Sequence, residues 1–202
     1  MQRFDTHVGI AAPLVRDNVD TDAIIPSREM NRVSKTGLAE ALFAPWRYQP
    51  GGRIEEPKFI LNQQRFRSAT ILLGGDNFGC GSSREFAVWA LVDFGIRVII
   101  APSFGSIFFS NCLSNGILPV VLERTAVDAL ARLALFEEFR VSLVENQLTA
   151  SGRHWPFVLP DVDRQRLLRG LDDIDQSLLH ESDLKQFKTR DAQSRGWAKI
   201  EK

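Results

Sequence analysis

The residues best suited to chemistry lie in one stretch, Gly74-Gly75-Asp76-Asn77-Phe78-Gly79-Cys80-Gly81-Ser82-Ser83-Arg84-Glu85. An apolar run precedes this stretch and a run with helical spacing follows it, so the pattern predicts a strand, a glycine-rich turn and a helix. Such a turn exposes backbone N–H groups, and the helix dipole adds partial positive charge at the same place. With two hydroxyls and a guanidinium at the helix start, the stretch is suited to bind an anion.

Two structural interpretations compete with an anion site. Residues 82–85 also fit a capping box, in which the Ser82 hydroxyl bonds the N–H three residues on and Glu85 bonds back. The glycines could serve only to supply positive φ, although four glycines within eight residues exceed what a sharp turn requires. The stretch lacks the Gly-Lys-Ser/Thr ending of a phosphate loop, and Arg84 stands where a dinucleotide fingerprint has a small residue. A nucleotide site is therefore not expected.

A second polar motif, Asn18-Val19-Asp20-Thr21-Asp22-Ala23-Ile24-Ile25-Pro26, follows a strand expected over residues 9–15. Its Asp and Asn residues are ordinary turn formers. The functional alternative is a carboxylate held near the glycine-rich turn to orient a base or a substrate hydroxyl. The segment that follows, residues 27–37, is either a solvated loop or one that closes over an acidic substrate, and it carries three basic residues: Arg28, Arg32 and Lys35.

The rest of the chain alternates strand and helix patterns. Residues 69–73 and 97–102 are apolar strands on either side of the helix that leaves the glycine-rich turn, which predicts a parallel pair with a right-handed crossover. Ligands of such sheets bind beyond the carboxyl ends of the strands, where this turn falls. Further helices are expected over residues 38–43, 106–114, 125–136, 161–170 and 171–180, and further strands over 117–122, 140–148 and 153–159. Pro119 indicates an irregular or edge strand, and a turn at Asn146-Gln147 is an alternative within 140–148.

Length and composition are those of an ordinary soluble globular protein. The chain has 202 residues, of which 44% are hydrophobic and 25% charged. A formal net charge of +0 provides no general field to attract nucleic acid or an acidic membrane. Neither a signal peptide nor a run of membrane-spanning length is evident, so a cytoplasmic location is expected. Residues past about 185 are charged and poor in apolar side chains, which predicts a main domain over 1–184 and a mobile tail over 185–202.

Cysteine and histidine usage gives no metal site within this chain. Cys80 and Cys112 have no second cysteine at metal-binding spacing and are expected to be small buried thiols. An iron–sulfur cluster takes three or four thiolates, so this chain alone should not carry one. If Ser82 is a base, it needs activation by backbone N–H groups, by Arg84 or by another chain. The histidines have no metal spacing and are expected to be structural or surface residues: His7, His154 and His180.

Four ordered motifs carry a resemblance to a known family. In order and approximate spacing, residues 18–26, 77–85, 100–108 and 115–120 resemble the small subunits of 3-isopropylmalate dehydratase, the swivelling domain of the aconitase superfamily. The likeness extends over nearly the whole chain, including Trp46-Arg47 and Gly170-Leu171-Asp172. It implies an α/β fold, a swivelling β/β/α domain of the aconitase C-terminal type, with a C-terminal helical arm.

The resemblance also implies an activity and a partner. The activity is that of a hydro-lyase that isomerises 2-isopropylmalate to 3-isopropylmalate by dehydration and rehydration in leucine biosynthesis. The partner is a large subunit holding a [4Fe-4S] cluster, which agrees with the scarcity of cysteine here. This chain is then expected to bind no cofactor itself and to meet a small hydroxy-dicarboxylate substrate, as part of a heterodimer or a larger assembly.

Residue by residue, the resemblance assigns roles within the two polar motifs. Ser82 matches the base that removes the proton next to a carboxylate. Ser83 and Arg84 match the residues that bind the substrate carboxylate and stabilise a carbanion-like state. Thr21 and Asp22 match a Thr-Asp pair at the site edge, with Thr21 expected to bind substrate and Asp22 to be catalytic.

Two positions depart from the family pattern. Phe86 stands where the family usually has histidine, so either that histidine is structural and Phe86 fills its space, or activity is altered. Glu29-Met30 replace an aromatic residue and leucine that meet the substrate side chain, which makes Met30 a candidate substrate contact. An inward-pointing Glu29 would suit an isopropyl group poorly. Alternative functions are therefore the same chemistry on citramalate, dimethylmalate or homoaconitate, or a non-catalytic anion-binding subunit, although retention of the serine and arginine motif argues against the last.

Overall fold

The computed structural model describes residues 1–30, 34–171, 173–178, 181–195 and 197. The chain divides into two compact units, Met1–Gly170 and Leu171–Lys202. The first unit contains the sheet and all of the predicted site residues. Within the described part of the chain, no helix is both long and apolar enough to cross a membrane.

A seven-stranded sheet forms the centre of the first unit, in the order β4-β3-β2-β1-β5-β6-β7. The four strands from β4 to β1 are parallel, and the pairs β1-β5, β5-β6 and β6-β7 are antiparallel. Strand β1 therefore joins a parallel half to an antiparallel half. The strands are β1 (Thr6–Pro13), β2 (Ile71–Leu73), β3 (Val98–Ala101), β4 (Leu118–Val121), β5 (Glu138–Ser142), β6 (Gln147–Ala150) and β7 (Arg153–Pro156).

Helices connect the parallel strands and flank the sheet. The first unit contains α1 (Thr21–Ile24), α2 (Ala44–Arg47), α3 (Glu85–Phe94), α4 (Ser106–Ser114), α5 (Arg124–Leu133) and α6 (Asp161–Arg169), with short 3₁₀ turns at Ser27–Glu29, Ala39–Ala41 and Ile60–Asn62. Helix α3 connects β2 to β3 and helix α4 connects β3 to β4, as a parallel sheet requires. The second unit contains α7 (Asp173–Leu178) and α8 (Glu181–Ser194).

Both faces of the parallel half are buried. Leu72 and Ile99 belong to one core cluster, together with apolar residues of α3 and α4. Their strand neighbours Ile71, Leu73 and Val98 belong to a second cluster, which includes residues of α5 and the antiparallel strands. Because successive side chains of a strand point to opposite faces, burial of both faces requires the unbroken apolar runs that β2 and β3 have.

Several expectations from the sequence are confirmed. The fold is α/β, β2 and β3 are parallel with α3 between them, and α4 has the expected bounds. Strand β4, which contains Pro119, lies at an edge of the sheet, where a residue without an N–H donor leaves no inner ladder bond unmade.

Other expectations are wrong at the level of single elements. Residues 140–148 are not one strand, because the chain turns over residues 143–146, with Asn146 in the left-handed region at φ 51°, which favours the alternative of a turn near Asn146. Strand β1 begins at Thr6, three residues before the expected start, because residues 6–10 pair with β5. The expected helix over 38–43 is only the 3₁₀ turn Ala39–Ala41.

Some sequence expectations fall partly or wholly outside the described residues. Arg32, His180 and residues 198–202 are among these. Helix α8 includes residues on both sides of position 185, where the mobile tail was expected to begin. That boundary stays a prediction.

Candidate active site

Two loops meet beyond the carboxyl ends of β1 and β2. We call residues 14–20 the first loop and residues 74–84 the glycine loop. Backbone hydrogen bonds join them from end to end: Gly75 N to Arg16 O at 3.0 Å, Asn18 N to Asp76 O at 2.7 Å, Gly79 N to Val19 O at 2.7 Å and Thr21 N to Cys80 O at 2.9 Å. These bonds continue the parallel pairing past the sheet, and they bring Thr21 beside Ser82.

Close packing at Gly79 shapes the glycine loop. Gly79 has a φ of +73°, and a Cβ atom there would lie 2.1 Å from the Phe108 ring of α4. A Cβ atom on Gly105 would likewise lie 2.6 Å from the Gly79 carbonyl oxygen. The glycines thus permit the start of α4 to approach the loop, which a turn alone would not require.

A buried hydroxyl supports the exposed Ser82 hydroxyl. Thr21 is only 1% exposed, and its Oγ1 lies 3.3 Å from Ser82 Oγ and 3.4 Å from Ser82 O. Thr21 is the first residue of α1, whose N-cap is Asp20, and Asp20 Oδ1 accepts a hydrogen bond from Ala23 N at 2.6 Å. The short helix therefore fixes the position of the Thr21 hydroxyl.

Arg84 carries the positive charge of the site. Its guanidinium forms an ion pair with the Asp22 carboxylate, and its side chain is 26% exposed against 59% for Asp22. The two motifs that the sequence singled out therefore meet through Thr21 and Ser82 and through Asp22 and Arg84. Ser83 lies exposed between Ser82 and Arg84. Arg84 is already oriented to receive a carboxylate.

The capping box, one of the two structural alternatives for residues 82–85, does not form. The N-cap of α3 is Arg84, and the Ser82 hydroxyl contacts Thr21 instead of the helix. The reason is a tight turn in which Arg84 N donates to Ser82 O at 2.9 Å, so the helix starts two residues later than the box requires. Glu85 does not bond back either, because its Oε1 accepts from Asn115 Nδ2 at 2.8 Å.

The segment around Met30 is placed by other contacts. The Glu29 carboxylate pairs with Arg53, with Oε2 and Nη2 2.7 Å apart, so it is a neutralised surface charge. Met30 is half-buried against the core cluster and is not part of the hydrogen-bonded group around Ser82. Glu29 is therefore not an argument against an isopropyl group in the substrate.

Phe86 packs as a core aromatic. It is half-buried, and its ring centroid lies 4.7 Å from that of Trp89. Lys35 Nζ lies 4.8 Å from the Trp89 ring centroid, in the range of a cation–π contact. This arrangement favours the interpretation in which Phe86 fills space behind the glycine loop.

Sequence reasoning missed one residue that ties the loops to α5. Arg124 Nη1 lies 2.7 Å from Asp17 Oδ1 and 3.0 Å from Asp76 Oδ2, so it bridges the first loop and the glycine loop. The hydrogen bond from Asp76 N and then the Arg124 side chain lower the pKa of Asp17. No local sequence pattern links residues 17, 76 and 124. Only the expectation that the ends of neighbouring strands lie close together could have suggested this ion-pair bridge.

Sequence reasoning also missed the roles of Asn115 and Trp89. Trp89 Nε1 donates to Asn115 Oδ1 at 3.1 Å, beside the contact between Asn115 and Glu85. Here a signal existed, because Asn115 begins one of the four ordered motifs, but nothing local indicated its partners.

Two cavities differ in their relation to these residues. One of about 320 Å³ lies between the glycine loop and the start of α4. Its lining includes Cys80, Ser82, Phe104 and Ile107. A larger one of about 670 Å³ lies between residues 28–29 and 44–53 and is lined by none of the predicted catalytic groups. The smaller cavity is the one that position and chemistry associate with Ser82.

The thiols of this chain do not fit an iron–sulfur cluster. Cys112 is fully buried, and burial raises its pKa well above its ordinary value. Cys80 is half-exposed in the glycine loop, so the expectation of a buried thiol is wrong there. Among the described residues, no group of three or more His, Cys, Asp or Glu side chains could hold a metal ion.

Comparisons with known proteins agree on one family. Residues 1–125 match the aconitase C-terminal domain family. The chain is 51% identical to the 3-isopropylmalate dehydratase small subunit of Cupriavidus necator, covering 98% of both chains. It is 42% identical to the subunit of the same name from Bacillus cereus, covering 94% of this chain and 98% of that one.

A solved structure of 3-isopropylmalate dehydratase from Methanocaldococcus jannaschii has a similar fold. The TM-score is 0.64 at 25% identity, covering 91% of this chain and 99% of that one. The resemblance inferred from the four motifs is thus confirmed, and so is the aconitase C-terminal type of fold. This chain belongs to the family of 3-isopropylmalate dehydratase small subunits.

Proposed function

We propose that this chain is the small subunit of a hydro-lyase that isomerises 2-isopropylmalate to 3-isopropylmalate by dehydration and rehydration. The observation that carries the proposal is the contact of Thr21 with Ser82 beside the Arg84 guanidinium, in a chain 51% identical to a 3-isopropylmalate dehydratase small subunit over 98% of its length. The subunit name of the relatives implies a large-subunit partner, and leucine biosynthesis follows from the same name.

Arg84 and Ser83 are the proposed carboxylate-binding residues. Arg84 Nη1 already pairs with Asp22 Oδ1, and a substrate carboxylate can replace that partner, because a guanidinium can bind a carboxylate through two parallel hydrogen bonds. The exposed Ser83 hydroxyl and the N–H groups of the first turn of α3 add donors, and the helix dipole favours negative charge there. Binding at this point places the carbon next to the carboxylate near Ser82.

Ser82 is the proposed base. A proton on the carbon next to a carboxylate becomes easier to remove when the negative charge that develops spreads into that carboxylate, and Arg84 stabilises this charge. Ser82 Oγ accepts the proton during dehydration and returns one during rehydration. A neutral serine hydroxyl is a weak base, so the group that accepts the proton is the Ser82 alkoxide. The Thr21 hydroxyl is placed to stabilise this alkoxide by donating a hydrogen bond to it.

The hydroxyl group leaves from the neighbouring carbon, so the overall products of dehydration are an alkene and water. We assign assistance to that departure to the large subunit, where the family resemblance predicts a [4Fe-4S] cluster. Asp22 is the proposed catalytic neighbour that releases Arg84 when substrate binds. Met30 is the proposed contact for the isopropyl group, and the cytoplasm is the proposed location.

The test is reconstitution with the large subunit. The purified chain is mixed anaerobically with the cluster-loaded large subunit, and alkene absorbance is followed with 2-isopropylmalate, citramalate and dimethylmalate. We expect the highest kcat/KM with 2-isopropylmalate and no turnover by the large subunit alone. Faster turnover of another malate would reassign the substrate, whereas no turnover of any substrate with an intact cluster would contradict an enzymatic role.

A further inference from the structure

The side-chain amide of Asn115 joins two helices at the back of the glycine loop. Its Nδ2 donates to Glu85 Oε1 at 2.8 Å and to Asn111 O at 2.9 Å, and its Oδ1 accepts from Trp89 Nε1 at 3.1 Å. Glu85 and Trp89 lie on the first turns of α3, whereas Asn115 follows the last residue of α4. The amide thus connects the start of one helix to the end of the next.

The chemistry of the partners dictates the orientation of this amide. An indole N–H can only donate a hydrogen bond, and a carboxylate can only accept one. The Asn115 amide offers an acceptor to Trp89 and two donors, one for Glu85 and one for Asn111 O, from one short side chain. Aspartate at position 115 would instead place a second carboxylate against Glu85, and like charges at that distance repel.

The backbone of Asn115 is itself firmly held. Its N–H donates to Asn111 O and to Cys112 O, each at 3.1 Å, and Ile117 N donates to Cys112 O at 3.0 Å. Strand β4 begins one residue after Ile117. Asn115 is therefore a fixed point from which its side chain restrains Glu85.

Apart from the Arg84–Asp22 ion pair and the turn in which Arg84 N donates to Ser82 O, few contacts restrain the Ser82–Arg84 segment. Ser82 and Ser83 are exposed, and Gly79 and Gly81 before them both have φ in the left-handed region. On the amino-terminal side, the Thr21 hydroxyl contacts Ser82. On the carboxyl-terminal side, Glu85 directly follows Arg84, and Asn115 restrains it.

We propose that Asn115 is a positioning residue for the reaction, which acts through Glu85 to hold Ser82 and Arg84 in their working geometry. The inference rests on the proposed function for its catalytic consequence, whereas its structural consequence can be measured on the chain alone. Small displacements of reacting groups are costly, so loss of this restraint lowers turnover without unfolding the protein.

The experiment exchanges the hydrogen-bond donor and acceptor between positions 115 and 85. Asn115→Ala removes the bond, Asn115→Asp opposes two carboxylates, and Glu85→Gln alone keeps an acceptor for Asn115. The double variant Asn115→Asp/Glu85→Gln restores a donor and acceptor pair in the opposite sense, while Trp89 keeps its acceptor. Ser110→Ala is the matched control, because it removes a side-chain bond to Ser106 O on the same helix, outside this network.

Two readouts are taken for each variant. Amide hydrogen exchange of a peptide spanning residues 79–86 is measured on the full chain alone, with a peptide spanning β3 as reference. Then kcat and KM are measured with the large subunit. We expect Asn115→Ala and Asn115→Asp to speed exchange in 79–86 alone and to lower kcat/KM by about 10- to 100-fold. The double variant recovers most of this loss, short of wild type because Asn111 O loses a donor.

Three outcomes separate the possibilities. Equal impairment of Asn115→Asp and the double variant, or unchanged exchange in residues 79–86, overturns the proposal. Faster exchange throughout the chain also overturns it, because Asn115 would then contribute only general stability. If exchange responds as expected while wild type turns over no substrate, the proposed function fails and the restraint on the segment stands.

Discussion

The contact between Thr21 and Ser82 joins an exposed hydroxyl to a buried one. Ser82 is exposed, where a substrate can reach it, and Thr21 is buried, where its hydroxyl has few competing partners. Because the Thr21–Ser82 contact is partly buried, its hydrogen bond is stronger than one fully exposed to water. This arrangement suits the roles proposed above, in which Ser82 is the base and Thr21 stabilises it.

Replacing Ser82 by alanine should separate catalysis from folding. The Ser82 hydroxyl makes no capping bond, so Ser82→Ala leaves the thermal unfolding midpoint unchanged. Loss of the base lowers kcat by roughly 10²- to 10⁴-fold. Turnover with the large subunit and a thermal melt of the chain alone check both parts, and a destabilised variant would mean that the hydroxyl supports the fold after all.

Thr21 offers a matched pair of substitutions. Thr21→Val keeps the shape of the side chain and removes the hydroxyl, whereas Thr21→Ser keeps the hydroxyl. We expect Thr21→Val to lower kcat by about 10- to 100-fold, the size of one hydrogen bond to a charged oxygen, with KM nearly constant. Steady-state kinetics with 2-isopropylmalate decide, and equal kcat for the two variants would exclude a role for the hydroxyl.

At the scale of elements, the two loops behave as an extension of the parallel sheet. The backbone bonds between residues 16–21 and 75–80 follow the direction of β1 and β2, and Arg124 of α5 clamps them from outside. The clamp is exposed, so its contribution to global stability is small and is screened by salt. Its effect should be local to the loops.

Arg124→Ala should therefore loosen both loops together. We expect several-fold faster amide exchange in residues 14–20 and 75–80, with an unchanged thermal unfolding midpoint. Arg140→Ala serves as the control, because it breaks another exposed ion pair, with Glu145. Faster exchange in only one loop would show that Arg124 does not couple them.

The elements that the sequence predicted well are those whose hydrophobic pattern fits only one type of secondary structure. The buried runs of β2 and β3 and the bounded helix α4 belong to this class. The start of α3 was ambiguous, because residues 82–85 satisfy a capping box locally, and tertiary partners decided the outcome: Thr21 engaged Ser82 and Asn115 engaged Glu85. The alternation over 140–148 continues across a turn, so only the turn-forming residue Asn146 indicated where the stretch divides.

At the scale of the whole molecule, His7 makes stability depend on pH. It lies half-buried in β1 with Nε2 2.7 Å from Thr70 Oγ1, and burial, followed by repulsion from Arg97, lowers its pKa from 6.5. The unfolded chain therefore takes up the proton first as pH falls. Stability from this group is full above pH 6.5 and is lost as pH falls towards the lower pKa of the folded state.

Melts of wild type and His7→Gln at several pH values below neutrality test this assignment. We expect the unfolding midpoint of wild type to fall with acidification more steeply than that of His7→Gln. His154→Gln, at an exposed position in β7, is the control and should follow wild type. If the unfolding midpoints of His7→Gln and wild type fall in parallel as pH falls, His7 is not the cause of the pH dependence.

The first unit should fold without the second. A hydrogen bond joins its two ends, because the amino group of Met1 donates to Gly170 O at 2.8 Å. Chains ending at Leu184 and at Leu171 should both unfold cooperatively, with midpoints within about 4 °C of the full chain. Calorimetry measures this, and loss of the transition in the shorter chain would show that residues 172–184 complete the fold.

The central place of β1 has a consequence for synthesis of the chain. One edge of β1 pairs with β2, which is translated early, and the other pairs with β5, which begins at Glu138. At 5–20 residues per second, the interval between Leu73 and Glu138 lasts roughly 3 to 13 s. Throughout it, the nascent polypeptide carries an unpaired strand edge at residues 6–10, the kind of edge on which chains aggregate. On the ribosome, the amino-terminal strand edge therefore stays unprotected after the first loop and the glycine loop have been synthesised.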